Sequence, residues 1–321
     1  MINRRDWLLG FSSVAILRGA AMTSMERMTK VMHGEDPDRS PFTLWHHFLD
    51  ETKPAATHAQ STLAFHNAFK TDLIKVMSDY AYPKPKGTWY ELKVDPNPYP
   101  QQIQSLELIK KGLGGKTMFL ETIFNPWNVA EKLSSKKEVQ ALMKDKPQKL
   151  MDALEIIAKS QASHAKKAIA AGASGIFLAI ANAQAGVLSE SDYVKFSMPY
   201  DKMILEAVRP APLNTLHLHT DAAMGDKLYL DQFHHGWPIS AINYSLHTQI
   251  GIADLRRRFP KIIMAGLDER NYRKLTADDL RSQWTAAKKA AGKLFILAPG
   301  CSIPNDSTDA EKMRLAKLFG A

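Results

Sequence analysis

The chain has very little cysteine and no long apolar run. Its 321 residues include a single cysteine, Cys301, so an internal disulfide and an all-cysteine zinc cluster are both excluded. No uninterrupted apolar segment reaches the ~20 residues that a membrane-spanning helix needs, so we expect no membrane span. The 45% apolar and 23% charged residues are nevertheless typical of a globular protein with a sizeable core.

Basic residues exceed acidic ones, but they are not concentrated in one segment. Forty-two Lys and Arg against 33 Asp and Glu leave a net charge of +9. The basic pairs are dispersed along the chain, have no interleaved aromatic residues and accompany no zinc-finger or RNA-binding signature. We therefore expect solvated helix faces and no nucleic-acid partner.

The N-terminal segment combines an arginine pair with a short apolar stretch. Arg4 and Arg5 precede the apolar residues 7–17, and small residues follow before Met22. This pattern is typical of a twin-arginine export signal, although Met22 could equally begin a protein that is not exported. We expect residues 1–22 to be either such a leader or an extra N-terminal helix. The expected location is the cytoplasm, with export to the periplasm as the alternative.

Eight short apolar runs alternate with longer segments of helical periodicity. Such alternation predicts a parallel α/β sheet, and eight units predict a single (β/α)8 TIM barrel over residues 23–321. A doubly wound open sheet is the alternative, but no glycine-rich phosphate-binding fingerprint follows the first run. The predicted strands are residues 40–45, 72–79, 116–124, 174–181, 213–220, 238–244, 262–267 and 294–298.

Local signals also predict helix ends. Ser189 precedes an acidic first turn and predicts the N-terminus of a helix over residues 190–208. Gly172 follows the Ala-rich end of a helix over residues 147–171 and predicts its C-terminus.

Two histidines and the lone cysteine form the clearest candidate site. His217 and His219 alternate on one predicted strand, so both imidazoles point to the same face. Cys301 follows the last predicted strand, and its thiolate could approach the histidines across the barrel mouth. Three such donors with an open fourth position match a catalytic zinc site. The alternative is a polar pocket in which the histidines are hydrogen-bonded and Cys301 is a buried apolar residue.

Two carboxylates are candidate catalytic groups. Asp79 ends an apolar strand and is followed by Tyr80, so it is a candidate acid/base or charge-stabilising residue, the alternative being a capping residue at a loop start. Glu121 lies within a strand and, if it points inward, could be a further metal ligand or a general base. Other polar residues at strand ends are expected to shape a substrate pocket: His46, His47, Asn125, Asn182, Gln184, Asn243 and Asp268.

Several segments resemble the uroporphyrinogen decarboxylase (URO-D) superfamily, in order, from about Met25 onward. They include DLIKVMSDYAYP, GASGIFLA, LHLHTD, AINYS, AGLDE and FILAPGCSIP. The resemblance implies a (β/α)8 barrel. The Ser-Asp pair that carries the essential aspartate of the decarboxylases matches at Asp79.

The superfamily holds at least two chemistries, and the site residues distinguish these two. The decarboxylases use no metal and bind substrate carboxylates through arginines after the first strand, where this chain has LWHHFLDE. The cobamide-dependent methyltransferases bind zinc through a His-x-Cys pair and a later Cys. That pattern matches at His217 and Cys301 and departs at His219, where a harder ligand replaces a thiolate.

The resemblance thus favours a zinc enzyme that transfers or removes a methyl or similar small group from a small-molecule substrate. The alternatives are a metal-free decarboxylase that uses Asp79, and a non-catalytic barrel that binds a small molecule or a corrinoid protein. We expect no bound organic cofactor, so any cobamide would arrive on a separate partner protein. The chain is expected to be a monomer or a homodimer.

Overall fold

The computed structural model describes residues 21–48, 53–219 and 227–320. The prediction of a twin-arginine leader depends on residues 1–20 and lies outside these ranges. None of the helices within them is both long and apolar enough to cross a membrane.

Seven parallel strands form one sheet, and strands that are consecutive in sequence are neighbours in space. This order confirms a parallel α/β fold. Helices cover the outer face, so nearly all strand residues are buried and the strand sequences are mostly apolar. The strands are β1 (Leu73–Val76), β2 (Met118–Phe124), β3 (Gly175–Ile180), β4 (Thr215–Leu218), β5 (Ala241–Tyr244), β6 (Ile262–Leu267) and β7 (Phe295–Pro299).

Eleven α-helices lie within the described ranges, together with short 3-10 turns at Leu230–Phe233 and Tyr272–Lys274. The α-helices are α1 (Ser24–Met32), α2 (Ala55–Phe69), α3 (Pro100–Leu113), α4 (Pro126–Leu133), α5 (Lys136–Asp145), α6 (Pro147–Ala170), α7 (Glu190–Phe196), α8 (Met198–Glu206), α9 (Ile252–Arg258), α10 (Ala277–Ala291) and α11 (Asp309–Phe319).

The predicted helix ends are confirmed, but one predicted helix is divided. The Ser189 hydroxyl accepts the backbone N–H of Asp192 at the start of α7, and Gly172 follows α6 with φ = +112°. The helix predicted over residues 190–208 is instead α7 followed by α8. Pro199 has no N–H to continue the helical ladder, so a new helix begins beside it.

The first predicted strand, residues 40–45, is not a strand of this sheet, so seven strands are found where eight were expected. One isolated parallel bridge joins Phe42 to Leu297 of β7. Pro41 has no N–H, and the N–H of Phe42 donates to the side chain of Asp72 rather than to a backbone carbonyl. The segment therefore cannot form a regular ladder with β1.

The inner face of the sheet is filled by apolar side chains, and α1 covers its N-terminal end. Met28 and Val31 of α1 belong to the same buried cluster as Leu73, Phe177 and Met264 from three of the strands. The N-terminal end of the sheet is therefore closed by a packed core. This leaves the C-terminal ends of the strands for a cavity, which is where parallel α/β barrels place their sites.

A buried carboxylate joins α1, the segment before the sheet and β1. Asp72 is fully buried and accepts hydrogen bonds from the guanidinium groups of Arg27 and Arg39 and from the backbone N–H of Phe42. Arg39 also donates to the carbonyl of Gly320, just after α11. One carboxylate thus anchors both ends of the described chain to the start of the sheet.

We expect Asp72→Ala to lower the free energy of unfolding by about 3–5 kcal/mol, because it removes the carboxylate partner of Arg39 and one of the two carboxylate partners of Arg27. Chemical denaturation measures the change. The control is Asp231→Ala, which removes an exposed ion pair with Arg258 and should cost no more than about 1 kcal/mol. Equal losses in the two variants would contradict a central role for Asp72.

Candidate metal centre

A cavity of about 320 Å³ lies at the C-terminal ends of the strands. Part of its wall is apolar and includes Trp45, Met77 and Phe124. Exposed Lys132 and Lys136 lie at its rim. The volume is suited to a small molecule.

Three predicted metal ligands meet in this cavity. His217 of β4, His219 just after β4 and Cys301 just after β7 each place a ligand atom within 4.8 Å of the others. The Sγ atom of Cys301 lies 3.4 Å from Nδ1 of His219. Tetrahedral zinc, with its usual bond lengths, would hold a sulfur and a nitrogen ligand about 3.6 Å apart. The spacing of the trio therefore fits a zinc ion.

Asn243 of β5 orients the ring of His217. The Asn243 amide nitrogen donates to the carbonyls of Met264 and Pro299, so its Oδ1 faces Nδ1 of His217 at 2.6 Å. This network assigns the proton of His217 to Nδ1, which donates to Asn243. Its Nε2 then has a free lone pair, as a metal ligand needs. Asn243 was predicted to shape the pocket; it is not among the lining residues, and its contact with the cavity is through His217.

The trio also favours the thiolate form of Cys301. Burial would raise the pKa of the Cys301 thiol, but the neighbouring His217 and His219 rings outweigh burial and hold that pKa well below its ordinary value. Burial lowers the pKa of His217, which favours the neutral imidazole. A thiolate and a neutral imidazole are the forms that bind a metal.

The backbone before Cys301 is held by residues that the sequence did not single out. Glu269 accepts the N–H of Gly300 and the hydroxyl of Ser245. A Cβ atom on Gly300 would lie 2.1 Å from the Cα of Ser245, so only glycine fits there. In the segment AGLDE the sequence analysis selected Asp268 as a pocket residue. The neighbouring carboxylate, Glu269, is the one that holds the backbone next to Cys301.

Lys75 is a second cavity residue that the sequence reading missed. It lies on β1 with 8% of its surface exposed, and its Nζ is 3.0 Å from the sulfur of Met77. Burial lowers the pKa of Lys75 to about 8. A lysine within the apolar run LIKV was the available signal, because such a run is expected to be buried on both faces.

Of the other predicted pocket residues, His47 and Gln184 line the cavity. Burial, followed by the nearby charge of Lys75, lowers the pKa of His47. The Gln184 amide donates to the carbonyls of Ala181 and His219, which supports the chain beside the metal ligands. His46 is not among the lining residues and packs against Phe48 and Phe65.

Asn125 and Asn182 form a buried polar cluster rather than lining the cavity. The Asn125 amide donates to Oδ1 of Asn182 and to the hydroxyl of Ser197. Ser197 and Tyr193 in turn donate to Asp201, a buried carboxylate. Burial raises the pKa of Asp201 to about 7, and the hydrogen bonds only partly offset this rise.

Glu121 does not reach the cavity. Leu120 and Thr122 point to the inner face of the sheet, so the period of two places Glu121 on the outer face. There it binds Gln102 of α3 and His164 of α6. The prediction that Glu121 is a further metal ligand or a general base required its side chain to point inward. The side chain points outward instead, away from the cavity.

Asp79, Tyr80 and Asp268 lie near the strand ends but are not among the lining residues. The Oδ2 atom of Asp79 lies 3.5 Å from Nε2 of His58, and the hydroxyl of Tyr80 donates to the carbonyl of Lys53. Asp268 accepts a hydrogen bond from His247 at 2.7 Å. The three candidate metal ligands therefore lie together in the cavity, whereas Asp79, Tyr80 and Asp268 do not line it.

Comparison with known proteins identifies a family. The family model for uroporphyrinogen decarboxylase (URO-D) matches residues 88–317. No curated protein matches the chain.

Solved structures share the fold at low sequence identity. A methyltransferase from Methanosarcina mazei is 15% identical, with a TM-score of 0.74 over 93% of this chain and 98% of its own. A B12-independent methionine synthase from Shewanella sp. W3-18-1, in complex with selenomethionine, is 12% identical, with a TM-score of 0.55 over 87% of this chain and 91% of its own.

We expect Gly300→Ala to weaken Zn²⁺ binding about tenfold or more, because the added methyl group displaces the backbone that carries Cys301. A competition titration against a chelating dye measures the affinity. The control is Gly251→Ala, where a Cβ atom would meet only ordinary contact, 3.7 Å from Asp254. Unchanged affinity in Gly300→Ala would show that the close approach does not position the ligand.

Asp201 predicts a pH-dependent stability. Its folded-state pKa is raised to about 7, so the stability it contributes is complete below the unfolded-state pKa and is lost as pH rises through about 7. Asp201→Asn should therefore gain in Tm relative to the wild type between about pH 5 and about pH 8. Thermal unfolding at both pH values measures the difference.

Asp279→Asn is the control, because hydrogen bonds from Thr276 lower the pKa of Asp279. Its carboxyl is ionised in both states across this range, so its Tm difference from the wild type should stay constant. The same constant difference in Asp201→Asn would contradict a raised pKa.

Proposed function

Since the chain belongs to the uroporphyrinogen decarboxylase (URO-D) family, we propose that it is a metal-dependent enzyme that transfers or removes a methyl or similar small group. The observation that carries this proposal is the trio of His217, His219 and Cys301 in the cavity. Three protein ligands leave a fourth position for the substrate, and this donor set suits zinc.

Each residue of the proposed centre has a distinct role. When bound, zinc supplies a Lewis acid that polarises a substrate oxygen or lowers the pKa of a thiol. His217 presents a neutral ring because its Nδ1 donates to Asn243. Cys301 supplies the one negative charge among the donors, and His219 makes the site harder than a two-thiolate site would be.

The likeness to a methyltransferase fold is compatible with this reaction but does not identify the methyl donor or acceptor. A cavity of about 320 Å³ suits a small-molecule substrate and is too small to enclose a cobamide. In this proposal, any cobamide is therefore carried by a separate corrinoid protein that docks at the cavity mouth.

We also propose that residues 40–45 complete the barrel in place of an eighth strand. Phe42 bridges to Leu297 of β7 on one side. On the other side, its carbonyl accepts the N–H of Asp72, which directly precedes β1. The segment thus contacts both edges of the seven-stranded sheet.

The second candidate is a metal-free decarboxylase that uses Asp79. The Oδ2 atom of Asp79 is buried and has no hydrogen-bond partner among the described residues, which would suit a group that stabilises a cationic intermediate. Its position outside the cavity lining makes this candidate the weaker one. A barrel that only binds small molecules or a corrinoid protein is the third candidate, and turnover would exclude it.

Elemental analysis of protein purified without added metal tests the leading proposal. We expect about one zinc per chain in the wild type and loss of most of it in His219→Ala and Cys301→Ser. His47→Ala is the control, because His47 lines the same cavity outside the trio and its variant should keep the metal. Absence of metal from the wild type, even after incubation with Zn²⁺, would contradict the proposal and place the decarboxylase first.

A further inference from the structure

We propose that the cavity binds a substrate with a single negative charge on a largely apolar body, and that Lys75 binds that charge. This inference names the substrate class for the proposed metal centre and rests on that proposed function only for what happens to the substrate after binding. Lys75 was not among the residues expected from the sequence, and neither the metal trio nor the fold gives it a role.

The first observation is that Lys75 is a buried cation without an ionic partner. Within the described ranges, no carboxylate forms a hydrogen bond or ion pair with its Nζ atom. Its neighbours are the sulfur of Met77 at 3.0 Å and the ring centres of Trp45 at 5.5 Å and Phe177 at 4.9 Å. Aromatic faces attract a cation, but they replace its lost hydration only in part.

A buried ammonium group is costly unless an anion accompanies it. Lys75 lines the cavity, so an anion that enters the cavity can reach it. The nearby thiolate of Cys301 provides some compensation through space. Asp79 and Glu121 also act on it through space, but neither forms an ion pair with Nζ. Once Cys301 binds a metal, its charge is neutralised, and an anion that enters the cavity is the charge that can contact the ammonium directly.

The surroundings of Lys75 select the kind of anion. In this part of the wall Met77 has no donor, and the hydroxyl of Thr122 already donates to the carbonyl of Val76, which leaves the indole N–H of Trp45 beside Lys75. A phosphate dianion needs several strong donors, and among the described residues Lys75 is the one buried cation in this lining. A carboxylate or another monoanion needs few, and its apolar body can pack on the ring and thioether surfaces.

One aromatic ring joins the anion site to the metal trio. Phe177 lies 4.9 Å from Nζ of Lys75 and is stacked on the ring of His217, with centroids 5.0 Å apart. The ammonium group and the trio are therefore close neighbours along one wall. A single small molecule can place its charge at Lys75 and its reacting group at the metal.

The fluorescence of Trp45 gives a direct test, because its ring lies beside Lys75. Iodide is a monoanionic quencher, and a site at Lys75 should produce a saturable quenching component, above the linear quenching of the other five of the six tryptophans. Benzoate should compete with iodide for this component, whereas the neutral isostere benzamide should not. Trp45→Phe should abolish it.

The variants separate Lys75 from other cavity lysines. We expect Lys75→Met to weaken iodide binding about tenfold or more, since it removes the one buried ammonium that lines the cavity in the described part of the chain. Lys132→Met is the matched control, because Lys132 lies at the exposed rim, and it should retain the saturable component. Quenching by neutral acrylamide, unchanged in Lys75→Met, would verify that the variant is folded.

Purely linear iodide quenching of the wild type would overturn the inference, and this result does not depend on any variant folding. Equal competition by benzoate and benzamide would overturn it as well, as would loss of the site in Lys132→Met alone.

The titration is run with and without added Zn²⁺. Failure to bind zinc together with saturable quenching would contradict the proposed function alone, and zinc binding without saturable quenching would contradict this inference alone.

Discussion

The hydrogen bonds of the buried Asp72 carboxylate are the interaction on which the rest of the structure depends. They draw together Arg27 of α1, Arg39 and the backbone of Phe42 at the start of the sheet. The segment after Phe42 then runs between β7 and β1 and delivers Trp45 to the cavity. A charge cluster at the N-terminal end of the sheet therefore helps to place Trp45 in the cavity wall at the opposite end.

The sequence predicted most of the strands and the approach of the three candidate ligands, because periodicity fixes the face of each histidine and a parallel sheet brings the ends of β4 and β7 to one side. Residues 262–267 were predicted as a strand with the bounds that β6 has. The alternation of His217 and His219 was sufficient to place both on one face. Alternation could not tell which face of MFLETIF is the inner one, since parallel strands are apolar on both sides, and for this reason Glu121 was misplaced.

The remaining features depend on contacts between distant segments, which local patterns do not contain. The strand predicted at residues 40–45 fails because a side chain, Asp72, binds the N–H that a ladder would use. The role of Glu269 depends on the close approach of Gly300 to Ser245. Lys75 is buried because other segments of the chain cover both faces of the sheet at β1, and the sequence around Lys75 does not show this.

The hydrogen bonds of Asn243 connect four strands, and this has a consequence for the evolution of the site. Asn243 binds His217 of β4, the carbonyl of Met264 in β6, and the carbonyl of Pro299 in β7, two residues before Cys301. The spacing between the first and last ligands is thus set by the strand frame and not by the residue at position 219. That position can exchange one ligand type for another while the frame is kept. Changes of donor there can alter the chemistry of the centre without requiring any change in the arrangement of the strands.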